Sequence, residues 1–249
     1  NFRKMKIIKP YSAQGSKKEQ VAKMFNAISK QYDFLNRILS IGIDINWRNK
    51  TVRQVKNSGA KKILDVATGT ADLAISLSKK IPNSSITGID ISSGMLEVGN
   101  KKIKQKKVSN NVNLVLGDGE SLPFDNNSFD AVTVAFGVRN FENLEKGLME
   151  MERVLKPGGI LAILEFSKPE SAPFKQIYFL YFKYILPALG RWISKDTSAY
   201  SYLPASVEAF PYGNNFLDKL KNAKLERFKI RSLTFGIASL YTAHTPQKI

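Results

Sequence analysis

The sequence predicts an α/β fold in which helices cover one mostly parallel sheet of seven strands. The first observation is that short apolar runs alternate with segments of helical periodicity over residues 61–166, as in strands joined by crossover helices. The second is a pair of late apolar runs, Glu226–Thr234 and Ile237–His244, which we expect to form an antiparallel hairpin that closes the sheet. With 249 residues, 43% of them hydrophobic, the chain can bury one sizeable core in one domain.

The segment before the first strand divides into a loose basic leader, residues 1–16, and a helical lid, residues 17–58. We expect a helix to begin near Lys17, because apolar residues recur at helical spacing from Val21 onward. A second helix is expected from about Asn46 to Asn57, so that one to three helices precede the first strand.

Residues 61–166 are expected to form the ligand-binding core, followed by an insert at 167–212 and a strand pair at 226–245. The predicted strands of the core are Lys62–Val66, Ser85–Asp90, Val112–Leu116, Phe129–Ala135 and Ile160–Phe166, and its helices are Asp72–Lys80, Ser93–Lys104 and Leu144–Leu155. The segment Lys156–Gly159 predicts a sharp stop after the last of these helices. Ligands of such sheets bind at the edge where the parallel strands end.

The turn after the first strand has the small residues that a nucleoside site requires. Gly69 and Ala71 would let the backbone approach a ligand closely. Asp90 ends the second strand, where a carboxylate is well placed to accept both hydroxyls of a ribose. The alternative is that Gly69 only turns the chain and that Asp90 only caps the next helix.

The same turn is a poor match for a dinucleotide. The third glycine of that pattern is missing, because Leu73 and Ala74 follow Ala71. Asp65, in the leading strand, would be unfavourable beside a phosphate and suits a positively charged or amine-bearing ligand instead. S-adenosylmethionine fits these requirements, since it combines a ribose, a sulfonium and an amino acid tail without a phosphate.

Composition restricts the other classes of site. There is no cysteine and a single histidine, His244, so we expect no disulfide and no metal site built on Cys or His. The first residues are charged and lack an apolar stretch of signal-peptide length, which predicts a cytoplasmic protein. The formal charge is +17. It favours an anionic membrane surface or nucleic acid, or it reflects a solvated, lysine-rich surface.

The predicted insert, residues 167–212, is rich in aromatic side chains. Its apolar stretch Ile177–Leu186 is too short to span a bilayer and is ended by Pro187. The aromatic residues are expected to line a pocket for an apolar substrate or to lie in a membrane interface, and ordinary packing over the sheet is the alternative.

Three blocks of sequence resemble a known family. They are Val21–Asn26 with Tyr32-Asp33-Phe34-Leu35-Asn36 and Trp47-Arg48, then Phe136-Gly137-Val138-Arg139-Asn140, and finally Arg153–Gly159 with Leu164-Glu165-Phe166-Ser167-Lys168-Pro169. These blocks resemble the UbiE/MenG group of S-adenosylmethionine-dependent methyltransferases of quinone biosynthesis. The similarity runs from about residue 18 to 245.

The resemblance implies a class I methyltransferase fold, which is Rossmann-like, and C-methylation of a prenylated hydroquinone. The methyl donor would be S-adenosylmethionine, and its contacts would map onto Thr70, Asp90 and the pair Asp118-Gly119. Asp118 would accept from the adenine amino group, and Leu122 or Phe124 would help to cover the ring. The form of the stretch Gly69–Asp72 favours demethylmenaquinol as the substrate over use in both quinone pathways.

The resemblance also suggests which residues act on the substrate. Arg139 would stabilise the phenolate or position an activating water, and Asn140 would orient it. Tyr32 and Asp33 of the lid would complete the site, with Asp33 as a possible base. As alternatives, Asp33 caps a helix and Arg139 forms an ion pair. The family's usual histidine near Trp47 is Asp44 here, which puts a catalytic role for that position in doubt.

The expected partners are a prenylated quinol and, by peripheral contact, the anionic inner face of a membrane. No nucleic-acid partner is expected, because no separate nucleic-acid module is visible, and a homo-oligomer is left open. The rival functions are a methyltransferase of both quinone pathways, one acting on another lipid or on nucleic acid, and a non-catalytic protein that binds S-adenosylmethionine or a quinone.

Overall fold

The computed structural model describes residues 8–11, 14–181, 184 and 198–247. Most of the predicted leader, 1–16, therefore lies outside the described residues, as do Phe182, Pro187 and Trp192 of the insert.

One sheet of seven strands crosses the protein. Its strands are β1 Lys62–Val66, β2 Ser85–Asp90, β3 Val112–Leu116, β4 Phe129–Ala135, β5 Leu155–Phe166, β6 Glu226–Leu233 and β7 Ala238–His244. Their order is β3-β2-β1-β4-β5-β7-β6, and the first five are parallel. β7 is antiparallel to both of its neighbours, β5 and β6. The predicted fold class, a mostly parallel sheet closed by an antiparallel hairpin, is confirmed.

Helices cover both faces of this sheet. They are α1 Lys17–Ile28, α2 Tyr32–Leu39, α3 Ile43–Asn57, α4 Asp72–Lys80, α5 Ser93–Gln105, α6 Leu144–Val154, α7 Phe174–Leu180, α8 Ser198–Ala209 and α9 Asn214–Asn222. Successive strand residues point to opposite faces, so that Ile63 packs with α3, α4 and α5, whereas Leu64 packs with α6 and α9. Strands buried on both faces explain the continuous apolar runs of the sequence.

The helix ends at Val154, as the stop at Lys156–Gly159 predicted, but the predicted start of the fifth strand at Ile160 is wrong, because β5 already begins at Leu155 and includes this segment. Leu155 pairs with Phe129 and Ile160 pairs with Ala131, so the extra residues form a bulge in the strand. A Cβ on Gly159 would lie 2.8 Å from the carbonyl oxygen of Lys156, and the bulge therefore requires glycine there. The glycines that suggested a loop serve a strand instead.

A buried carboxylate joins the two central strands. Asp65 of β1 is 1% exposed and accepts hydrogen bonds from the hydroxyls of Thr68 and Thr133, each at 2.6 Å. Burial raises the pKa of Asp65 to about 6, although both hydrogen bonds oppose the shift. The protonated form is thus the one that the folded state favours in mildly acidic solution.

We expect Asp65 to make stability fall as pH rises. Its pKa increases from 3.8 in the unfolded chain to about 6 on folding, so its contribution is complete below pH 4 and is lost as the pH passes 6. The Asp65→Asn variant cannot ionise, so from pH 4 to pH 8 its free energy of unfolding should rise by about 2.5 kcal/mol relative to that of the wild type. Urea unfolding at pH 4, 6 and 8 measures this difference.

Asp218→Asn, which changes an exposed carboxylate on α9, serves as the control. If the free-energy difference between Asp65→Asn and the wild type were independent of pH, the raised pKa of Asp65 would be refuted.

Candidate functional site

Two adjoining cavities open at the edge where the parallel strands end. The larger has a volume of about 290 Å³ and lies among the lid helices α1 to α3, the turn Val138–Asn140, and helices α7 and α8. The smaller, of about 50 Å³, lies over the ends of β1, β2 and β3. Phe25 and Asn140 line both cavities, so the two cavities adjoin at these side chains.

Asp90 forms part of the smaller cavity. One carboxylate oxygen accepts from the backbone N–H of Gly69 and the other from that of Ser92, each at 2.8 Å. Each oxygen keeps a further lone pair, which suits the two hydroxyls of a ribose. Burial raises the pKa of Asp90, whereas the backbone hydrogen bonds lower it. The helix cap is Ser92, whose hydroxyl accepts from Met95, so capping is not the role of Asp90.

The pair Asp118-Gly119 also lines the smaller cavity. Asp118 accepts from the backbone N–H of Glu120 at 2.9 Å and forms an ion pair with Lys18 of the lid. A Cβ on Gly119 would lie 2.8 Å from side-chain atoms of both Val66 and Phe141, so only glycine fits there.

The expectation that Leu122 or Phe124 covers an adenine ring does not match the structure. Leu122 is buried in the core, and Phe124 packs edge-on against Phe129 with a centroid distance of 5.1 Å. The apolar side chains that do line the smaller cavity include Ile91 and Phe141.

The remaining predicted cofactor residues, Asp65, Gly69 and Thr70, do not line either cavity. Gly69 donates its N–H to Asp90, and Asp65 is buried between Thr68 and Thr133. Ala71 is small for a different reason than the one proposed above. It packs against α5, where a Cβ on Gly99 would lie only 3.3 Å from the Cβ of Ala71.

Asp33 does not line either cavity. Its carboxylate forms an ion pair with Lys102 of α5 at 2.6 Å and accepts from the hydroxyl of Thr70. Lys102 also forms an ion pair with Asp72 at the start of α4. Because a cation lies within hydrogen-bond distance, Asp33 is drawn towards α5 and away from the substrate side. These contacts join α2 of the lid to α5 and to the turn before α4, and the use of Asp33 as a base stays a prediction.

Tyr32 and Asp44 of the lid line the larger cavity. The Tyr32 ring packs edge-on against Phe25 at 5.9 Å, and burial raises the pKa of its hydroxyl. Asp44 accepts from Ser40 at 2.7 Å and forms ion pairs with two arginines, Arg37 and Arg48. The carboxylate at this position is thus neutralised by its own surroundings.

Arg139 forms the ion pair that was its alternative role and also lies in the wall of the larger cavity, so its action on the substrate stays a prediction. Its guanidinium forms an ion pair with the fully buried Glu165 at 2.9 Å, and its side chain also lines the larger cavity. Among the described residues, its Nε atom and the Oδ1 atom of Asn140 are buried without a hydrogen-bond partner. Buried polar atoms without partners are rare, and these two are available to a polar substrate group.

Glu165 and Lys18 were missed as functional residues in the sequence. Glu165 accepts from the backbone N–H of Arg139 at 3.3 Å as well as from its side chain. The signal for Glu165 was a single acid near the end of an otherwise apolar strand, which requires a buried partner. Lys18 carries no such signal, because one exposed-looking lysine among many predicts nothing.

Aromatic side chains form the walls of the larger cavity. The ring of Phe136 lies 6.0 Å from Trp47 and 4.6 Å from Phe166. The predicted insert contributes Phe174, Tyr178, Tyr181 and Tyr202. Phe210 does not contribute, because it packs against Phe216 in the core. The cavity thus suits a flat, largely apolar ligand.

Within the part of the chain that the structure describes, no group of three or more His, Cys, Asp or Glu residues could hold a metal ion. None of the described helices has both the length and the apolar character needed to cross a membrane.

Comparisons with known proteins agree with this geometry. Residues 13–245 match the model of the ubiE/COQ5 methyltransferase family. The demethylmenaquinone methyltransferase of Bacteroides fragilis is 48% identical over 236 residues, which cover 95% of this chain and 96% of the relative. The ubiquinone/menaquinone biosynthesis C-methyltransferase UbiE of Geotalea daltonii is 44% identical, covering 91% and 96% of the two chains.

A solved structure of a SAM-dependent methyltransferase from Aquifex aeolicus has the same fold. Its TM-score is 0.56 at 19% identity, over 78% of this chain and 88% of that chain. The sheet order, the two adjoining cavities and the match over nearly the whole chain lead to one conclusion: the chain belongs to the ubiE/COQ5 methyltransferase family.

Proposed function

We propose that this protein transfers a methyl group from S-adenosylmethionine to a ring carbon of a prenylated hydroquinone, 2-demethylmenaquinol, in menaquinone biosynthesis. The observation that carries the proposal is the contact between two unlike cavities, one rich in carboxylates and one lined by aromatic rings, at Phe25 and Asn140. The name of the Bacteroides fragilis relative, demethylmenaquinone methyltransferase, supports the same reaction.

The smaller cavity would hold the nucleoside part of S-adenosylmethionine, which supplies a methyl group bonded to a cationic sulfur. Asp90 would accept from the ribose hydroxyls, and Asp118 would accept from the adenine amino group. Asp118 would then exchange its ion pair with Lys18 for the ligand. Gly69 and Thr70 would position the amino acid end through the turn that they form.

The larger cavity would hold the quinol ring and favour the ionised form of one ring oxygen. A ring carbon becomes a strong nucleophile only when the oxygen on the adjacent carbon loses its proton. Arg139, held in place by its ion pair with Glu165, would stabilise that oxygen through its unpaired Nε–H, and Asn140 would orient it. Tyr32 and the aromatic walls would keep the ring in line with the methyl group and exclude water.

The rim of this cavity suits a substrate that is dissolved in a membrane. Apolar side chains are exposed on the lid and on α7, including Ile41 at 82%, Phe34 at 60%, Ile177 at 58% and Leu180 at 52%. Ile41 and Ile177 also line the cavity. Together with the net charge of +17, this surface supports peripheral contact with an anionic bilayer, from which the prenyl tail would enter.

The first test is methyl transfer from labelled S-adenosylmethionine to demethylmenaquinol and, separately, to a demethylated benzoquinol, both in detergent. We expect label in the naphthoquinol only. Label in both would indicate use in both quinone pathways. Label in neither, with S-adenosylmethionine binding intact, would refute the proposed reaction.

Arg139→Ala is expected to lower kcat about a hundredfold or more, because the cation that stabilises the phenolate is lost. Calorimetry of S-adenosylmethionine binding shows whether the variant is folded, since the unpaired Glu165 destabilises it. Arg139→Lys keeps the charge beside Glu165 but loses the Nε donor, and an intermediate kcat is expected. Arg231→Ala, on the exposed edge strand β6, is the control. Unchanged turnover in Arg139→Ala would remove this residue from the mechanism.

Vesicle co-sedimentation tests the contact with a membrane. We expect the protein to sediment with phosphatidylglycerol vesicles at low salt and to be released as salt is raised, because the attraction is partly electrostatic. Ile41→Glu should weaken binding, whereas Met149→Glu, which changes an exposed residue of α6, should not. Absence of binding at low salt would contradict the proposal.

A further inference from the structure

Tyr202 of α8 has a buried hydroxyl that no assigned role uses. The residue is 4% exposed and packs with Val21 and Met24 of α1. It lines the cavity together with Arg139 and Asn140. Its hydroxyl has no hydrogen-bond partner within the described part of the chain, although it is buried.

A buried hydroxyl without a partner destabilises the fold, so its presence in a cavity indicates a ligand group that pairs with it. Its environment makes it a neutral group: burial raises the pKa of Tyr202 to about 12, while the nearby charge of Arg139 opposes the shift. A neutral phenol both donates and accepts a hydrogen bond. It is therefore suited to a hydroxyl of the ligand.

The unpaired atoms of the cavity match the two oxygens of a hydroquinone. Nε of Arg139 donates and Oδ1 of Asn140 accepts, and the two residues are consecutive in one short turn. These two atoms can serve one ring oxygen together. Tyr202 comes from a different element, α8, and can serve an oxygen on another side of the ring.

We propose that Tyr202 is a specificity-determining residue whose hydroxyl binds the second ring oxygen, the one para to the oxygen that Arg139 and Asn140 hold. The site would thus recognise a 1,4-dihydroxy ring at both oxygens. This inference rests on the proposed function and adds to it the recognition of the second ring oxygen of the substrate.

The test combines a change in the enzyme with a change in the substrate. Wild type and Tyr202→Phe are assayed on a prenylated demethylnaphthoquinol and on the matching prenylated 1-naphthol, which keeps the hydroxyl beside the methylated carbon and lacks the para one. The intrinsic reactivity of the two rings differs, but this difference is the same for both enzymes. It therefore cancels when the ratio of the two kcat/KM values is compared between the two enzymes.

We expect Tyr202→Phe to lower kcat/KM for the quinol about tenfold and to leave kcat/KM for the naphthol nearly unchanged. The preference of the wild type for the quinol should fall by the same factor. Tyr212→Phe, which removes a hydroxyl outside the cavity, should leave both values unchanged.

A second readout separates substrate recognition from a structural role. Because the hydroxyl is unpaired in the free protein, Tyr202→Phe should leave the melting temperature unchanged or raise it. A lower melting temperature, or an unchanged preference for the quinol, would overturn the inference while leaving the proposed function intact. If the wild type methylated neither ring, the proposed function and this inference would both fall.

Discussion

The buried ion pair between Arg139 and Glu165 is the contact on which the geometry of the site depends. Glu165 is fully buried at the end of β5 and binds both the side chain and the backbone N–H of Arg139. It thereby fixes the turn that carries Asn140, the residue common to both cavities. Removing one partner of such a pair leaves an uncompensated buried charge and lowers the free energy of unfolding by about 3–5 kcal/mol. The turn is therefore stable only while both partners are present.

Charges also attach the lid to the core. Lys18 contacts Asp118, Asp33 contacts Lys102, and Arg48 contacts Asp72. Lys18 joins α1 to the loop after β3, whereas Asp33 of α2 and Arg48 of α3 join one cluster in which Lys102 also contacts Asp72. The sheet, in contrast, is held by apolar clusters on both of its faces. The core is therefore the part that resists salt, whereas the position of the lid depends on ion pairs that salt and ligands weaken.

The sequence predicted the regular part of the fold more closely than the contacts of single side chains. Strands β1 to β4 begin and end at the predicted residues, because buried parallel strands are continuous apolar runs bounded by turns. The ion pair of Asp33 was not predictable, since its partner Lys102 is 69 residues away. The bulge at Gly158 and Gly159 was missed for a related reason: glycines that favour a loop also allow a strand to bulge, and only the pairing with β4 distinguishes the two.

Helix α1 contributes to both cavities. Lys18 and Val21 face the smaller one, Met24 faces the larger one, and Phe25 faces both. A ligand in either cavity therefore acts on the same rigid element. If one ligand changes the affinity for the other by some factor, thermodynamic linkage requires the second ligand to change the affinity for the first by the same factor. The two cavities thus share one helix, and any coupling of their ligands through α1 must act equally in both directions.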